Sequence, residues 1–172
     1  MQKTFLDGVS TKLAEHCCQQ SSKLETSQEA LHISLAWLIF RKLYGVTVTQ
    51  KSLAQAWNLG AQYEIPDFQD AVMHLLVLCL HEDHVDPDAV TEAYATVERD
   101  TKLQRAFIAQ LTIDMRRGDV YAWERPTFTD NCMEMVPGFY LDLTDALRKS
   151  DRDAELKIGD FLLKQQVEDD TE

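Results

Sequence analysis

The pattern of apolar and polar positions is organised around residues 65–80, which read IPDFQDAVMHLLVLCL. From Ala71 to Leu80 every residue except His74 is apolar. Pro66 suits the first turn of a helix, and the acidic residues after it suit the positive end of the helix dipole. A helix that is apolar nearly all round belongs inside a protein or a membrane, and this run is well short of the roughly 20 residues that a bilayer requires. The pattern therefore predicts a buried central helix.

Apolar residues recur at helical spacing in further windows along almost the whole chain. These windows cover residues 3–18, 27–44, 49–63, 87–97, 101–117, 139–149 and 151–167. The cleanest amphipathic stripe lies in the window 101–117, with Arg105, Gln110 and Asp114 off the apolar side. Aromatic residues that fall in apolar stripes are predicted to lie in the core: Trp37, Phe40, Trp57, Phe68 and Phe107.

Local signals mark where several of these helices begin. Ser27, Thr49 and Thr101 are residues that cap helix N-termini, and Asp86 can cap a helix whose first position is Pro87. The link 64–66 is so short that the helices on either side of it must be packed neighbours, an αα-hairpin over residues 49–80.

Composition supports an all-α fold. Hydrophobic residues make up 45% of the 172 residues, and the chain has only six glycines and four prolines. This length is enough for one domain with a substantial core. We predict a single-domain bundle of about seven to eight helices over residues 1–167, with the hairpin 49–80 as its core and 168–172 as a frayed acidic tail.

The net charge of −12 disfavours nucleic acid and anionic membrane surfaces as partners, because both would be repelled at long range. Three basic doublets, Arg41-Lys42, Arg116-Arg117 and Arg148-Lys149, do not form a patch in this interpretation. Each falls where a helix is predicted to end, and cations are favourable there.

The four cysteines fit no zinc module, and adjacent Cys17 and Cys18 are poor disulfide partners. The N-terminal residues lack the uninterrupted apolar region of a signal peptide. These observations favour an intracellular location, either cytoplasmic or nuclear.

Motifs that carry catalytic chemistry are not found: there is no glycine-rich phosphate loop, no GxSxG elbow and no HExxH helix. We therefore predict no catalytic residue, no cofactor and no metal site. The alternative is a small helical metal-binding protein or metalloenzyme that uses Glu29 and His32, spaced as ExxH, with His74, His81 and His84. In the structural interpretation of the same residues, His74 is hydrogen-bonded in the core and the other two lie on a surface turn.

The least periodic section of the chain is residues 118–138. Trp123 lies there beside Tyr121, and an exposed aromatic residue in irregular chain is a typical anchor for a protein partner. Tyr121 and Trp123 are therefore the candidate partner-binding residues.

Residues 54–73, AQAWNLGAQYEIPDFQDAVM, resemble the C-terminal helix pair of fungal-type BTB/POZ domains, in which an AW-x-LG helix leads through IP into FQ-x-AVM. The likeness extends more weakly over residues 30–117, through AWL and LYG upstream and PDAV and KLQR downstream. The resemblance implies a non-enzymatic interaction module, an adaptor for cullin-type ubiquitin ligases or a self-associating scaffold.

The front of the chain departs from that family. BTB domains begin with strands and a helix that build a sheet and much of the homodimer surface, whereas about 30 residues precede the resemblance here and show no strand pattern. We expect a reduced or truncated relative that keeps only the helical half, which leaves both dimerisation and cullin binding open.

Overall fold

The computed structural model describes residues 27–43, 48–96, 98–118, 136–149 and 156–163. Within these ranges the chain is helical and contains no β-strand. The α-helices are α1 (Gln28–Phe40), α2 (Gln50–Gln62), α3 (Pro66–Glu82), α4 (Pro87–Tyr94), α5 (Lys102–Arg117) and α6 (Phe139–Lys149), followed by a 3-10 helix (Ile158–Phe161). The all-α prediction is confirmed for this part of the chain. The helix predicted at 3–18 lies outside the described residues. The single-domain division and the count of seven to eight helices stay predictions.

The predicted N-terminal caps are confirmed. Ser27 Oγ accepts a hydrogen bond from Ala30 N at 3.2 Å, and Asp86 Oδ1 accepts one from Asp88 N at 3.0 Å. Thr49 and Thr101 each form a capping box with the residue three positions later. Each cap satisfies amide groups that the first turn of a helix cannot pair internally.

Helices α2 and α3 form the predicted hairpin, and Gly60 is what lets them approach. A Cβ atom at Gly60 would lie 2.7 Å from Gln69 Cγ and 3.1 Å from Phe68 Cδ1 on α3. Phe68 also stacks at a tilt on Trp37 of α1, with ring centroids 5.3 Å apart. The three helices therefore meet around the first turns of α3.

The most enclosed helix is α5, not α3. From Leu103 to Asp114 every residue is buried except Arg105 and the half-buried Ala109. Gln110 and Asp114, which lie off the apolar stripe, are buried as well, and Gln110 Nε2 donates to Asp114 Oδ1 at 2.7 Å.

The prediction of a buried central helix holds for seven residues of α3 but fails for one side of it. Asp67, His74, Leu78 and His81 are exposed at helical spacing and form one solvent-facing stripe. Leu78 is 43% exposed. The placement of His74 in the core is likewise wrong, because the apolar residues around it in sequence pack on the other sides of the helix.

Helix α1 ends four residues before the predicted boundary at Tyr44, and Phe40 at its end is 70% exposed. The prediction of Phe40 as a core residue is therefore wrong. Arg41 has the left-handed φ of 53°, and its N–H donates to Trp37 O at 2.8 Å, which closes the last turn. The Arg41 guanidinium lies over the Trp37 ring, 4.5 Å from its centroid.

The C-terminal part described by the structure is not the α-helix predicted over 151–167. Residues 156–163 run extended on either side of the 3-10 helix. Leu156 and Phe161 are buried against the core, and Leu163 N donates to Asp70 Oδ1 on α3 at 2.6 Å. Apolar side chains therefore dock this segment on the core without a regular helix.

The buried apolar residues form one cluster to which all six α-helices and the 3-10 segment contribute. The three basic doublets lie at the ends of α1, α5 and α6, as predicted. Within the described ranges, no helix has both the length and the apolar character needed to cross a membrane.

Candidate functional site

A row of polar contacts joins α2 to α4 and to the link before α4. We call it the polar seam; its residues on α2 are Gln50, Lys51, Gln55 and Asn58. Gln50 is 7% exposed and uses both ends of its amide. Gln50 Nε2 donates to His84 O at 2.9 Å, and Gln50 Oε1 accepts from Asp86 N at 2.9 Å. The side chain thereby replaces a missing backbone partner on each side of the link between α3 and α4, which is a structural role.

Further along the seam, three more residues of α2 reach α4. Lys51 Nζ lies 3.1 Å from Asp88 Oδ2, and that hydrogen bond is the main reason that the pKa of Lys51 is raised. Gln55 Nε2 donates to Glu92 Oε1 at 2.7 Å, and Asn58 Nδ2 donates to Glu92 O at 2.8 Å. The second of these bonds caps the C-terminal end of α4.

The far end of the seam leaves polar atoms unused. The partners of Gln55 and Asn58 are acceptors, so each amide must point its NH₂ group at Glu92 and its oxygen elsewhere. Both oxygens, Gln55 Oε1 and Asn58 Oδ1, are closed off from solvent and have no hydrogen-bond partner among the described residues. The same is true of the indole Nε1 of Trp57. A buried polar atom without a partner costs about 1–3 kcal/mol.

The same three residues line a cleft of about 580 Å³ between α2 and the connection from α4 to α5. The cleft is wide open to solvent on one side. Its other lining residues are Leu59, Ala61, Gln62, Glu92, Ala95, Thr96, Glu98 and Thr101. Concave surfaces where a few polar groups converge are candidate binding sites.

Electrostatically this cleft is negative. Its described lining residues include Glu92 and Glu98 but neither lysine nor arginine. In the described part of the chain neither carboxylate belongs to an ion pair, whereas Asp88, one turn before Glu92 on α4, is paired with Lys51. Lys51 lies outside the cleft and attracts Glu92 as well as Asp88, which offsets part of the Glu92 charge, whereas Glu98 has no described ion-pair partner.

The wall formed by the α4–α5 connection is held by Gln104, which is 3% exposed. Gln104 Nε2 donates to Ala93 O at 3.1 Å and to Glu98 O at 3.2 Å, while its Oε1 accepts from Thr101 N at 3.1 Å. All polar atoms of this amide are used, so the backbone at Glu98 is held from within the protein.

The residues predicted from sequence lie elsewhere. Tyr121 and Trp123 fall outside the described residues.

The candidate metal ligands are spread over the surface. Glu29 and His32 are exposed on the first turns of α1 and line a second cleft that also contains Lys51, whose ammonium opposes a bound cation there. His74 and His81 are exposed on α3 and His84 follows it. The structure does not gather them: in the part that it describes, no three or more His, Cys, Asp or Glu side chains could together hold a metal ion.

Two groups outside the cleft are perturbed in ways that make them less reactive. Burial, followed by the charges of Asp83 and Glu82, raises the pKa of the half-buried Cys79 thiol, so less of it is the nucleophilic thiolate at neutral pH. Burial and a 2.9 Å hydrogen bond to Asp142 raise the pKa of Tyr94 far above its usual range. Neither group is prepared for acid–base or nucleophilic chemistry.

Comparison with protein-family models, with curated proteins and with solved structures finds no match to this chain.

The cleft was missed by sequence reasoning. Gln55, Asn58 and Glu92 look like ordinary solvent-facing positions of amphipathic helices, and their partners are 34 and 37 residues apart in sequence. No local signal distinguishes an amide that is hydrogen-bonded at both ends from one that is bonded at one end only.

Proposed function

We propose that this chain is a non-enzymatic protein–protein interaction module, related to the helical half of BTB/POZ proteins. The observation that carries the proposal is the exposed apolar end of α1, where Ile39 is 66% and Phe40 70% exposed. Leu35, one turn before Ile39, is 44% exposed. Side chains four apart are neighbours on a helix surface, so Leu35 and Ile39 form one stripe with Phe40 at its edge. We call these three residues the α1 apolar face.

The α1 apolar face is presented rigidly. Trp37, on the opposite side of the helix, is buried and packs on Phe68, and Arg41 closes the last turn over the Trp37 ring. A helix that is anchored behind its exposed apolar side chains loses little conformational entropy when a partner covers them. Covering large apolar side chains yields about 25 cal/mol per Å² buried, and contiguous exposed apolar patches mark interaction sites.

The positions that carry the BTB/POZ resemblance support a shared helix-pair architecture. Trp57, Ile65 and Phe68 are buried where α2 meets α3, and Gly60 allows the close approach. The motif therefore specifies packing of two helices rather than a binding residue. In this proposal the partner is a cullin-type ligase subunit or a second copy of the chain, with Tyr121 and Trp123 as a further contact.

The test is co-purification of the full chain from extract of its native cells, with bound proteins identified by mass spectrometry. The matched pair of variants is Ile39→Glu and His81→Glu, because both side chains are exposed on helices but only Ile39 belongs to the α1 apolar face. We expect the first variant to lose partners that the second retains, with unchanged circular dichroism in both.

The outcomes separate the parts of the proposal. Recovery of a cullin with the wild-type chain and the control variant supports the adaptor role, and recovery of other partners on the same pattern supports an interaction module outside the ligase. Partners that bind Ile39→Glu as well as wild type would remove the α1 apolar face from the proposal.

A further inference from the structure

The cleft between α2 and the α4–α5 connection has hydrogen-bonding capacity that no described residue uses. Two carboxamide oxygens, Gln55 Oε1 and Asn58 Oδ1, have no donor, and no described residue donates to Glu92 Oε2. We propose that this cleft binds the guanidinium group of an arginine residue in a partner protein. The partner in this inference rests on the proposed interaction function, but the chemistry of the cleft does not.

The charge of the cleft selects a cation. Glu92 and Glu98 line it without a described ion-pair partner, and none of its described lining residues is a lysine or arginine. Lys51, outside the cleft, offsets part of the Glu92 charge but leaves that of Glu98. The charge of the whole chain, −12, adds attraction for basic partners at long range.

The distribution of acceptors favours a guanidinium over an ammonium. The unused acceptors come from two positions one turn apart on α2 and from a carboxylate on α4, so they approach a ligand from two sides. A guanidinium presents five donors in a plane and has no acceptor of its own, whereas an ammonium presents three donors at one point. The planar group can pair with Glu92 and with the Gln55 amide together.

Entry of the ligand needs one rearrangement, at Gln55. Its oxygen is closed off while Nε2 is bonded to Glu92 Oε1. A guanidinium that takes over this bond to Glu92 frees the Gln55 amide to turn about its terminal torsion, which has a broad energy profile. Gln55 Oε1 then accepts from the ligand. Asn58 stays on Glu92 O, so the end of α4 remains capped.

An arginine within a protein suits the cleft better than free arginine. The carboxylate of the free amino acid would be repelled by Glu92 and Glu98. Trp57 Nε1 has no described partner either, but it is closed off from solvent, so the preference for a peptide rests on the missing carboxylate. Gln110 Oε1 is unpaired too, but Gln110 does not line this cleft and plays no part in the inference.

The experiment is an NMR titration of the full chain, isotopically labelled, with a capped tripeptide, acetyl-Ala-Arg-Ala-amide. The probes are the side-chain amides of Gln55 and Asn58 and the indole N–H of Trp57. Matched ligands are the same tripeptide with citrulline, which has the shape of arginine without its charge, and free arginine. We expect saturable shifts at all three probes with the arginine peptide and binding weaker by about tenfold, or about 1.4 kcal/mol, with either matched ligand.

Two variants test whether binding of the arginine peptide depends on the charge of Glu92. Glu92→Gln keeps an acceptor for Gln55 and removes the carboxylate, and we expect it to weaken the arginine peptide by about tenfold. Glu82→Gln removes the same charge from the exposed end of α3, outside the cleft, and is expected to leave the affinity within about twofold, as for a screened exposed charge.

Several results would overturn the inference: equal binding of arginine and citrulline peptides, equal loss in the two variants, or no saturable shift at the three probes. Tighter binding of free arginine than of the peptide would overturn the assignment to a partner protein. If the arginine peptide does not bind but partner proteins still depend on Ile39, the arginine site is wrong and the α1 apolar face stands. If the peptide binds but partner proteins do not depend on Ile39, the α1 apolar face is wrong and the arginine site stands.

Discussion

The two ends of the seam between α2 and α4 use the same kind of side chain in opposite ways. At one end Gln50 donates to one backbone group and accepts from another, so the amide completes the fold. At the other end Gln55 and Asn58 donate to Glu92 and leave their oxygens without a partner. A fully used amide stabilises the native state, whereas a half-used one leaves binding capacity beside an open, negatively charged cleft.

The largest effect is expected at the fully used end. Gln50→Leu leaves His84 O and Asp86 N without their partner and should lower the free energy of unfolding by about 2 kcal/mol, measured by urea denaturation. A loss of unfolding free energy no larger than that of Gln55→Leu would contradict the distinction between the two ends of the seam.

Asn58→Leu should cost less, about 1 kcal/mol in the same measurement. The substitution removes one hydrogen bond to Glu92 O, but that carbonyl still accepts from Ala95 N at 3.3 Å. It also removes the unpaired Oδ1. A cost equal to that of Gln50→Leu would mean that the cap on α4, rather than the number of unpaired groups, determines stability.

Asp100→Asn tests whether the connection that walls the cleft depends on charge. The hydrogen bond from Arg105, whose Nε lies 2.7 Å from Asp100 Oδ1, is the main cause of the lowered pKa of Asp100. Asparagine tolerates the left-handed φ of 61° at this position, so the substitution isolates the charge. Because the pair is exposed, the cost near neutral pH should be below about 1 kcal/mol.

The pH dependence of that cost has a definite sign. A carboxyl group with a lowered folded-state pKa contributes stability above its unfolded pKa and loses it as the pH falls through the folded pKa. The difference between wild type and Asp100→Asn should therefore be constant near neutral pH and shrink below the ordinary value of 3.8. A difference that grows on acidification would contradict the assigned pairing.

Gln55→Leu should change stability least, within about 0.5 kcal/mol, because the lost bond to Glu92 is offset by removal of a buried, unpaired oxygen. A loss of 2 kcal/mol or so, as for Gln50→Leu, would show that the amide of Gln55 is part of the structural seam.

Local chemistry explains what the sequence could predict of this fold. The caps at Ser27, Thr49, Asp86 and Thr101 depend on neighbours within three residues, so their roles follow from short patterns. The end of α1 and the burial of its residues depend on where Trp37 packs, which places Phe40 outside. His74 is exposed for the same kind of reason, since periodicity cannot say which side of an apolar helix its neighbours leave uncovered.

The candidate site could not be predicted because it depends on pairing between distant residues. The amides of Gln50 and Gln55 are five positions apart on one helix and have the same local preferences. They differ because Gln50 contacts the α3–α4 link, whereas Gln55 contacts Glu92 on α4. The residues predicted to bind a partner, Tyr121 and Trp123, lie outside the described residues and stay a prediction.

The most direct test of the account is the affinity of Gln55→Leu for the capped arginine tripeptide, measured by the same NMR titration as for wild type. The account predicts that this variant keeps its free energy of unfolding and binds the peptide about tenfold more weakly, a loss of about 1.4 kcal/mol. An unchanged affinity in a fully stable variant would contradict it, because the unpaired oxygen of Gln55 would then have no part in binding.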